Sequence, residues 1–330
     1  MGLERLATAW AVFQGLVIEA MPFLLIGVTI AGLARWLNPG GHWLRRLPSH
    51  PVLGPLTGAA LGFTLPACEC GNVPVARRLL AGGAPLATAL GFLFAAPVLN
   101  PIVLASTWAA FPDRPWLLVA RPLGALVIAF VLATLLPMVP EKQLLSSALL
   151  EERHLSQPLS AVGLLERRSG VLGAASPKTS LSQPSSPLGV SSGGSRGSAV
   201  EALSHASREF LNLTLLLVMG SAIAALVQTL LPRSWLLALG SAPTLSILSL
   251  MLLAVVVSVC SSVDAFLALG FAAQVTPGAL LAFLILGPVV DLKSLSLFGV
   301  LFKPRAIAIT AAGASLVVLL IGQWVNLWKL

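Results

Sequence analysis

Tyrosine is absent from the 330 residues, cysteine occurs three times, and charged side chains make up only 10% of the chain. So little charge is incompatible with the solvated surface of a soluble protein of this size. No Gly-x-x-x-x-Gly-Lys-Ser/Thr run is present, so any pumping draws on an ion gradient or on a separate ATPase. The basic residues give a formal charge of +8. They are scattered through connections without an aromatic-interleaved basic face, and nucleic acid is excluded as a partner.

What remains is apolar. Hydrophobic residues are 57% of the chain, and the mean hydropathy is +0.93. Runs at 8–33, 84–110, 116–139, 207–231, 278–302 and 306–328 each approach or exceed the ~20 residues that a spanning helix needs. The sequence therefore predicts an all-α polytopic membrane protein with at least six full spans and the lipid bilayer as its solvent. The first run is too long for a signal-peptide core and lacks a cleavage pattern, which predicts that it is retained. The tryptophans (Trp10, Trp36, Trp43, Trp108, Trp116, Trp235, Trp324 and Trp328) fall near predicted span ends and, with no tyrosine, form the interfacial belt alone.

Two shorter apolar runs, 51–66 and 245–260, each meet a polar break and are either short spans or half-helices. Residues 141–206 change abruptly to Ser, Pro, Gly and mixed charge. That composition predicts a disordered linker, with a short helix over Glu141 to Leu155 at its start, between a first membrane repeat (1–140) and a second (207–330). The repeats match at Gly27 and Gly220, at Pro39 and Pro232, and at Cys68-Glu69-Cys70-Gly71-Asn72 and Cys260-Ser261-Ser262-Val263-Asp264. Pro85 and Pro277, Pro97 and Pro288, and Asn100 and Asp291 follow in nearly the same register.

If the short runs cross fully, each half has four spans and the repeats are parallel. If each dips in and returns, through 74–80 and 265–274, each half has three spans plus a re-entrant hairpin, and the repeats are inverted. The second arrangement gathers Arg35, Arg45, Arg46, Lys142, Arg153, Arg208, Lys303 and Arg305 on one side and leaves Arg114, Arg233 and Lys329 opposite, so it fits the positive-inside bias better. It also matches transporters in which discontinuous helices of inverted repeats meet at the midplane.

The chemistry concentrates at the breaks. Pro66 to Pro74 brackets Cys68, Glu69, Cys70 and Asn72 with two prolines and a glycine, predicting broken backbone that lines an internal cavity. Cys260 and Asp264 form the matching break. A carboxylate at the bilayer centre costs about 2.5 to 3.5 kcal/mol, so Glu69, Asp264 and Asp291 call for a reason such as proton or cation handling, unless they lie at the membrane surface. Thiolates are soft ligands for zinc, copper(I) or trivalent arsenic, which makes Cys68, Cys70 and Cys260 the candidate metal-binding set. Lone membrane cysteines also serve as small apolar residues. Pro97 to Pro101 and Gly287 to Lys293 place Asn100, Asp291 and Lys293 within spans. Lys293 does not face Asp291 on a regular helix, so its expected partner is Asp264 or Glu69. Glu19, Arg77 and Arg78 are weaker candidates, and Pro97 and Pro288 also read as packing kinks.

Cys68 to Arg78, Pro97 to Pro101, Asp264-Ala265-Phe266 and Gly287 to Lys293 together resemble the bacterial predicted-permease family that includes YraQ, YcgR and the organoarsenical exporter ArsP. The resemblance covers both membrane halves. It implies a multi-pass permease of the plasma (inner) membrane, not an enzyme and without a cofactor, and a thiophilic metal or metalloid as substrate. The Cys-Glu-Cys and Arg-Arg form looks closer to the YcgR branch, often paired with a second subunit. Two other readings stand beside export: a membrane thiol-disulfide carrier, and the membrane subunit of a two-component permease complex.

Overall fold

The computed structural model describes residues 2–37, 44–65, 68–156, 199–230 and 243–329. Five described helices or helix pairs are long and apolar enough to cross a bilayer: Leu6–Ala34, Leu86–Ala110, Trp116–Met138, Ala206–Leu230 and Pro304–Trp328. They belong to α1 (Gly2–Leu37), α4 and α5 (Leu86–Leu99 and Pro101–Ala110), α6 (Trp116–Leu135), α9 (Ala199–Leu230) and α14 (Pro304–Lys329). The sixth expected span, 278–302, is not one continuous helix. It divides into α12 (Pro277–Leu286) and α13 (Leu292–Phe298), with Pro288 and Asp291 in the gap.

The two short apolar runs become α2 (Leu53–Thr64) and α10 (Pro243–Val257), 12 and 15 residues long. At about 1.5 Å per residue neither covers the ~30 Å hydrocarbon core. Each is followed by a break and a second helix, α3 (Glu69–Ala81) or α11 (Asp264–Leu269). Pro66 and Ala67 lie outside the described residues. The first break sits earlier than the proline pattern suggests: Cys68 caps α3, and Pro74 falls inside that helix.

Close approaches set the directions of these helices. Along α2, Gly54, Gly58 and Gly62 face Ala87, the Thr88 carbonyl and Ala96 of α4 in turn, so α2 and α4 run parallel and α3 must return between them. Gly58 and the reciprocal Gly91 meet partner backbone with no room for a side chain, which is how membrane helices gain contact without a hydrophobic driving force. In the second half Ile247 of α10 and Gly278 of α12 both meet α14 near Gly322, and Ala254 lies by Gly287, so α10 and α12 are parallel as well.

One end of the bundle is basic. There Arg153 donates to the carbonyls of Leu80 (3.2 Å) and Ala84 (3.1 Å), and Arg77 pairs with Glu152 (2.8 Å) and Glu209 (3.1 Å). Lys303 Nζ donates to the Lys142 carbonyl at 2.6 Å. At the opposite end Arg114 reaches the Ala272 carbonyl at 3.4 Å. The α2–α3 hairpin enters from the basic end, since Thr88, at the start of α4, donates to the Pro48 carbonyl. The α10–α11 hairpin enters from the opposite end, where the Gly278 amide donates to Asn326 near the close of α14. Helices α1 and α9 are antiparallel: Leu6 to Phe13 line a groove with Ala222 to Leu226, and Gly32 lies against Ala206.

The α4–α5 pair is the centre of the molecule, 83% buried along its apolar window against 33% for α1 and 28% for α14. The outer helices turn Ile18, Leu211, Leu215, Leu316 and Leu320 outward, as a lipid-facing surface requires. Trp10, Trp36, Trp108, Trp324 and Trp328 are exposed near helix ends, while Trp43 and Trp235 lie outside the described residues. The start of the expected linker is ordered: α7 (Glu141–Leu144) and α8 (Ser147–Ser156) bury Leu144, Leu145 and Leu149 against the basic end. Residues 157–198 lie outside the described set.

Candidate functional site: a buried thiol and ion-pair cluster

Four helices begin at the chain breaks, and the polar residues predicted from sequence sit at those beginnings. A helix start leaves backbone N–H groups unpaired and carries a partial positive charge, so acids and capping side chains belong there. Asn100 caps α5 by accepting from the Ile102 amide at 3.0 Å. Its counterpart Asp291 caps α13, accepting from the Ser294 amide at 2.5 Å. Glu69 opens α3, and Asp264 opens α11. Asn100 and Asp291, matched between the halves, thus do the same backbone work, although one is an amide and the other an acid.

The thiols come together. Cys68 and Cys70 place their sulfur atoms within 4.8 Å of each other and of a Glu69 carboxylate oxygen. Cys260, from the other hairpin, lies beside the Cys68 thiol, and Ser262 donates to the Cys260 sulfur at 3.5 Å. All three cysteines are free and buried, none more than 5% exposed. The donor set is soft and anionic when ionised, suited to a thiophilic cation or metalloid.

Two ion pairs flank the thiols. Lys293 Nζ lies 3.1 Å from Glu69 Oε1, one of its two partners anticipated from sequence. Asp264 is paired elsewhere: its Oδ2 accepts from Arg121 at 2.6 Å. Arg121 also donates to Thr107 Oγ1 (2.7 Å) and to the Ser261 carbonyl (3.1 Å), and it is wholly buried. The sequence reading missed Arg121. The signal was present, a lone guanidinium six positions into the apolar run from Trp116, where charge is costly and functional by default.

Ser258 knots the second break. Its φ of 52° is left-handed, a conformation strained for a residue with a side chain. The strain is offset by its contacts: the hydroxyl donates to Asp291 Oδ2 at 2.7 Å and accepts from the Lys293 amide at 3.2 Å. Its carbonyl lies 3.5 Å from Lys293 Nζ. Asn72 is fully buried in the first turns of α3. Glu19 is half-buried on α1, and Arg77 belongs to the ion pairs of the basic end.

A helical bundle with an apolar exterior, two hairpins entering from opposite ends and a charged, thiol-bearing centre defines a multi-pass membrane protein of the permease class. The chain belongs to the predicted-permease family, whose model matches residues 5–327. It is 34% identical over 295 residues, 89% of both chains, to the UPF0718 protein YcgR of Bacillus subtilis. It is 29% identical over 310 residues to a Streptococcus mutans protein whose name makes it a subunit of a two-component membrane permease complex, covering 94% of this chain and 92% of that one. No solved structure matches. The protein is thus a multi-pass permease of the plasma membrane.

Proposed function

We propose that this permease is a secondary transporter that exports a thiophilic metal or metalloid species through a midplane site built from two broken hairpins of inverted repeats. The observation that carries the reading is the meeting of Cys68 and Cys70 from one hairpin with Cys260 from the other, beside Glu69. The antiparallel crossing of the equivalent helices α1 and α9 supports inversion. Glu69 Oε2 and Asp264 Oδ1 are buried and have no hydrogen-bond partner among the described residues. Both acids thus retain capacity for a proton or a cation, consistent with coupling to an ion gradient.

In this mechanism the thiols capture the soft species from the basic, cytoplasmic side, Asn100 and Asp291 hold the helix starts that frame it, and Asn72 and Lys293 line it from α3 and α13. Protons exchanged at Glu69 or Asp264 link its release to the gradient. The test is uptake of trivalent methylarsenical and of zinc into everted vesicles, with and without a proton gradient. Gradient-driven accumulation that disappears in Cys68→Ser/Cys70→Ser is expected, and unchanged accumulation in that variant, present in the membrane at normal level, overturns the reading.

A second reading, a membrane thiol-disulfide carrier, is favoured by the proximity of Cys260 to Cys68. A Cys68–Cys260 disulfide that forms and is reduced during turnover would select it over soft-ion export. The name of the Streptococcus mutans relative also brings a second subunit into the proposal, to be sought by co-purification from the native membrane.

A further inference from the structure

Each half of the protein supplies the counter-ion for the other half's hairpin. Glu69 stands on the first hairpin and Lys293 on the broken span of the second half. Asp264 stands on the second hairpin, and Arg121 and Thr107 belong to α6 and α5 of the first half. The helices that begin at the two pairs lead to opposite ends of the bundle. Glu69 begins α3 and Lys293 begins α13; both helices lead to the basic end, where Leu80 meets Arg153 and Leu301 meets Ser146. Asp264 begins α11, which leads toward Ala272 and its contact with Arg114, and Thr107 lies in the last turn of α5 at that same end. Cys68 adjoins the first pair, and Cys260, whose carbonyl accepts from the Asp264 amide at 3.1 Å, adjoins the second.

We propose that these crossed ion pairs are the two gates of the permeation pathway: Lys293–Glu69 closes the thiol cluster toward the basic end, and Arg121–Asp264 closes it toward the opposite end. The proposal rests on the permease reading above and deepens it. A buried ion pair contributes little net stability over an apolar replacement, so stability alone does not account for two of them. Neither is fully satisfied, since both Glu69 oxygens and Asp264 Oδ1 are buried without a hydrogen-bond partner among the described residues. Both join the two halves rather than neighbours within one half, so relative motion of the halves parts them. Opening one pair while the other holds exposes the thiols to one side at a time, which is the requirement for alternating access.

Labelling of the native cysteines tests this without any substrate, because the chain has only three and all belong to the cluster. A membrane-impermeant charged methanethiosulfonate is applied to right-side-out and to everted vesicles. The wild type labels slowly from both faces. Arg121→Gln is expected to raise labelling from the face bearing Arg114 by about tenfold or more, equivalent to about 1.4 kcal/mol in the closed–open balance. Lys293→Gln is expected to do the same from the basic face alone. The swapped pair Arg121→Asp/Asp264→Arg returns labelling toward the wild-type rate. If Arg121→Gln does not accumulate, Asp264→Asn, which keeps size and hydrogen-bonding capacity, is labelled in its place. Equal labelling from both faces, labelling from the wrong face, or wild-type labelling in the single variants overturns the gates. Sided labelling without flux of methylarsenical or zinc keeps the gates and sinks the substrate reading. Flux with unsided labelling does the reverse.

Discussion

Arg121 shows how unevenly a buried charge is distributed between what it gains and what its loss would cost. Its guanidinium has three partners and no exposure, so its removal strands Asp264 as an unpaired buried carboxylate. Arg121→Ala is therefore expected to destabilise the protein by about 3 to 5 kcal/mol, read as a fall in melting temperature in detergent. The apolar pair Arg121→Met/Asp264→Leu is expected to restore most of that loss while abolishing transport. If the double variant melts as low as the single one, the pair is not an isolated unit. The same logic explains the partner of Lys293. Sequence spacing excluded Asp291 and left two acids open, and only the packing of α3 against α13 selected Glu69.

The decisive features among elements are where helices start and how closely they approach. Asn100 and Asp291 occupy equivalent caps, but Asp291 also accepts from Ser258. Asn100→Ala is expected to cost about 0.5 to 2 kcal/mol, the usual value of a cap, and Asp291→Ala more, because the left-handed Ser258 and the Lys293 amide lose their anchor as well. Urea or thermal unfolding of the two variants side by side checks the order. Gly27 and Gly220 are equivalent too, and each lets its helix press on the site: Gly27 touches the Gly71 backbone of α3, and Gly220 touches Ser296 and Lys293 of α13. Gly27→Val is expected to cost at least the ~1 to 3 kcal/mol of an overpacked core, because backbone cannot yield as a side chain can. A variant with unchanged melting temperature would show that α1 has slack against α3.

The duplicated pattern predicts the architecture of the whole molecule more fully than it predicts the site. The antiparallel crossing of α1 and α9 carries the inverted reading. A Cβ placed on Gly32 would lie 3.4 Å from that of Ala206, at the lower margin of the ~3.5 to 4.5 Å typical of a disulfide. Gly32→Cys/Ala206→Cys on a cysteine-free background is thus expected to cross-link under mild oxidation. Phe13→Cys/Ala206→Cys, which a parallel crossing would favour, is expected to stay open; the opposite result would reverse the orientation of the second half.

The all-α membrane class, the apolar runs, the two polar breaks and the polar residues Asn100 and Asp291 within spans were legible in the sequence; that these two cap helix starts was not. Hydropathy, proline and the short reach of α2 and α10 act locally, and each leaves its mark within some twenty neighbouring residues. The break inside 278–302 was half visible, as a proline and an acid in a run still apolar enough to read as one span. What tertiary structure alone decided is which charge meets which. Glu69 with Lys293, Asp264 with Arg121, and Cys68 with Cys260 join residues far apart in the chain. Their pairing depends on the broken elements of the two halves meeting inside the bundle, where a low-dielectric interior makes an unpaired charge costly.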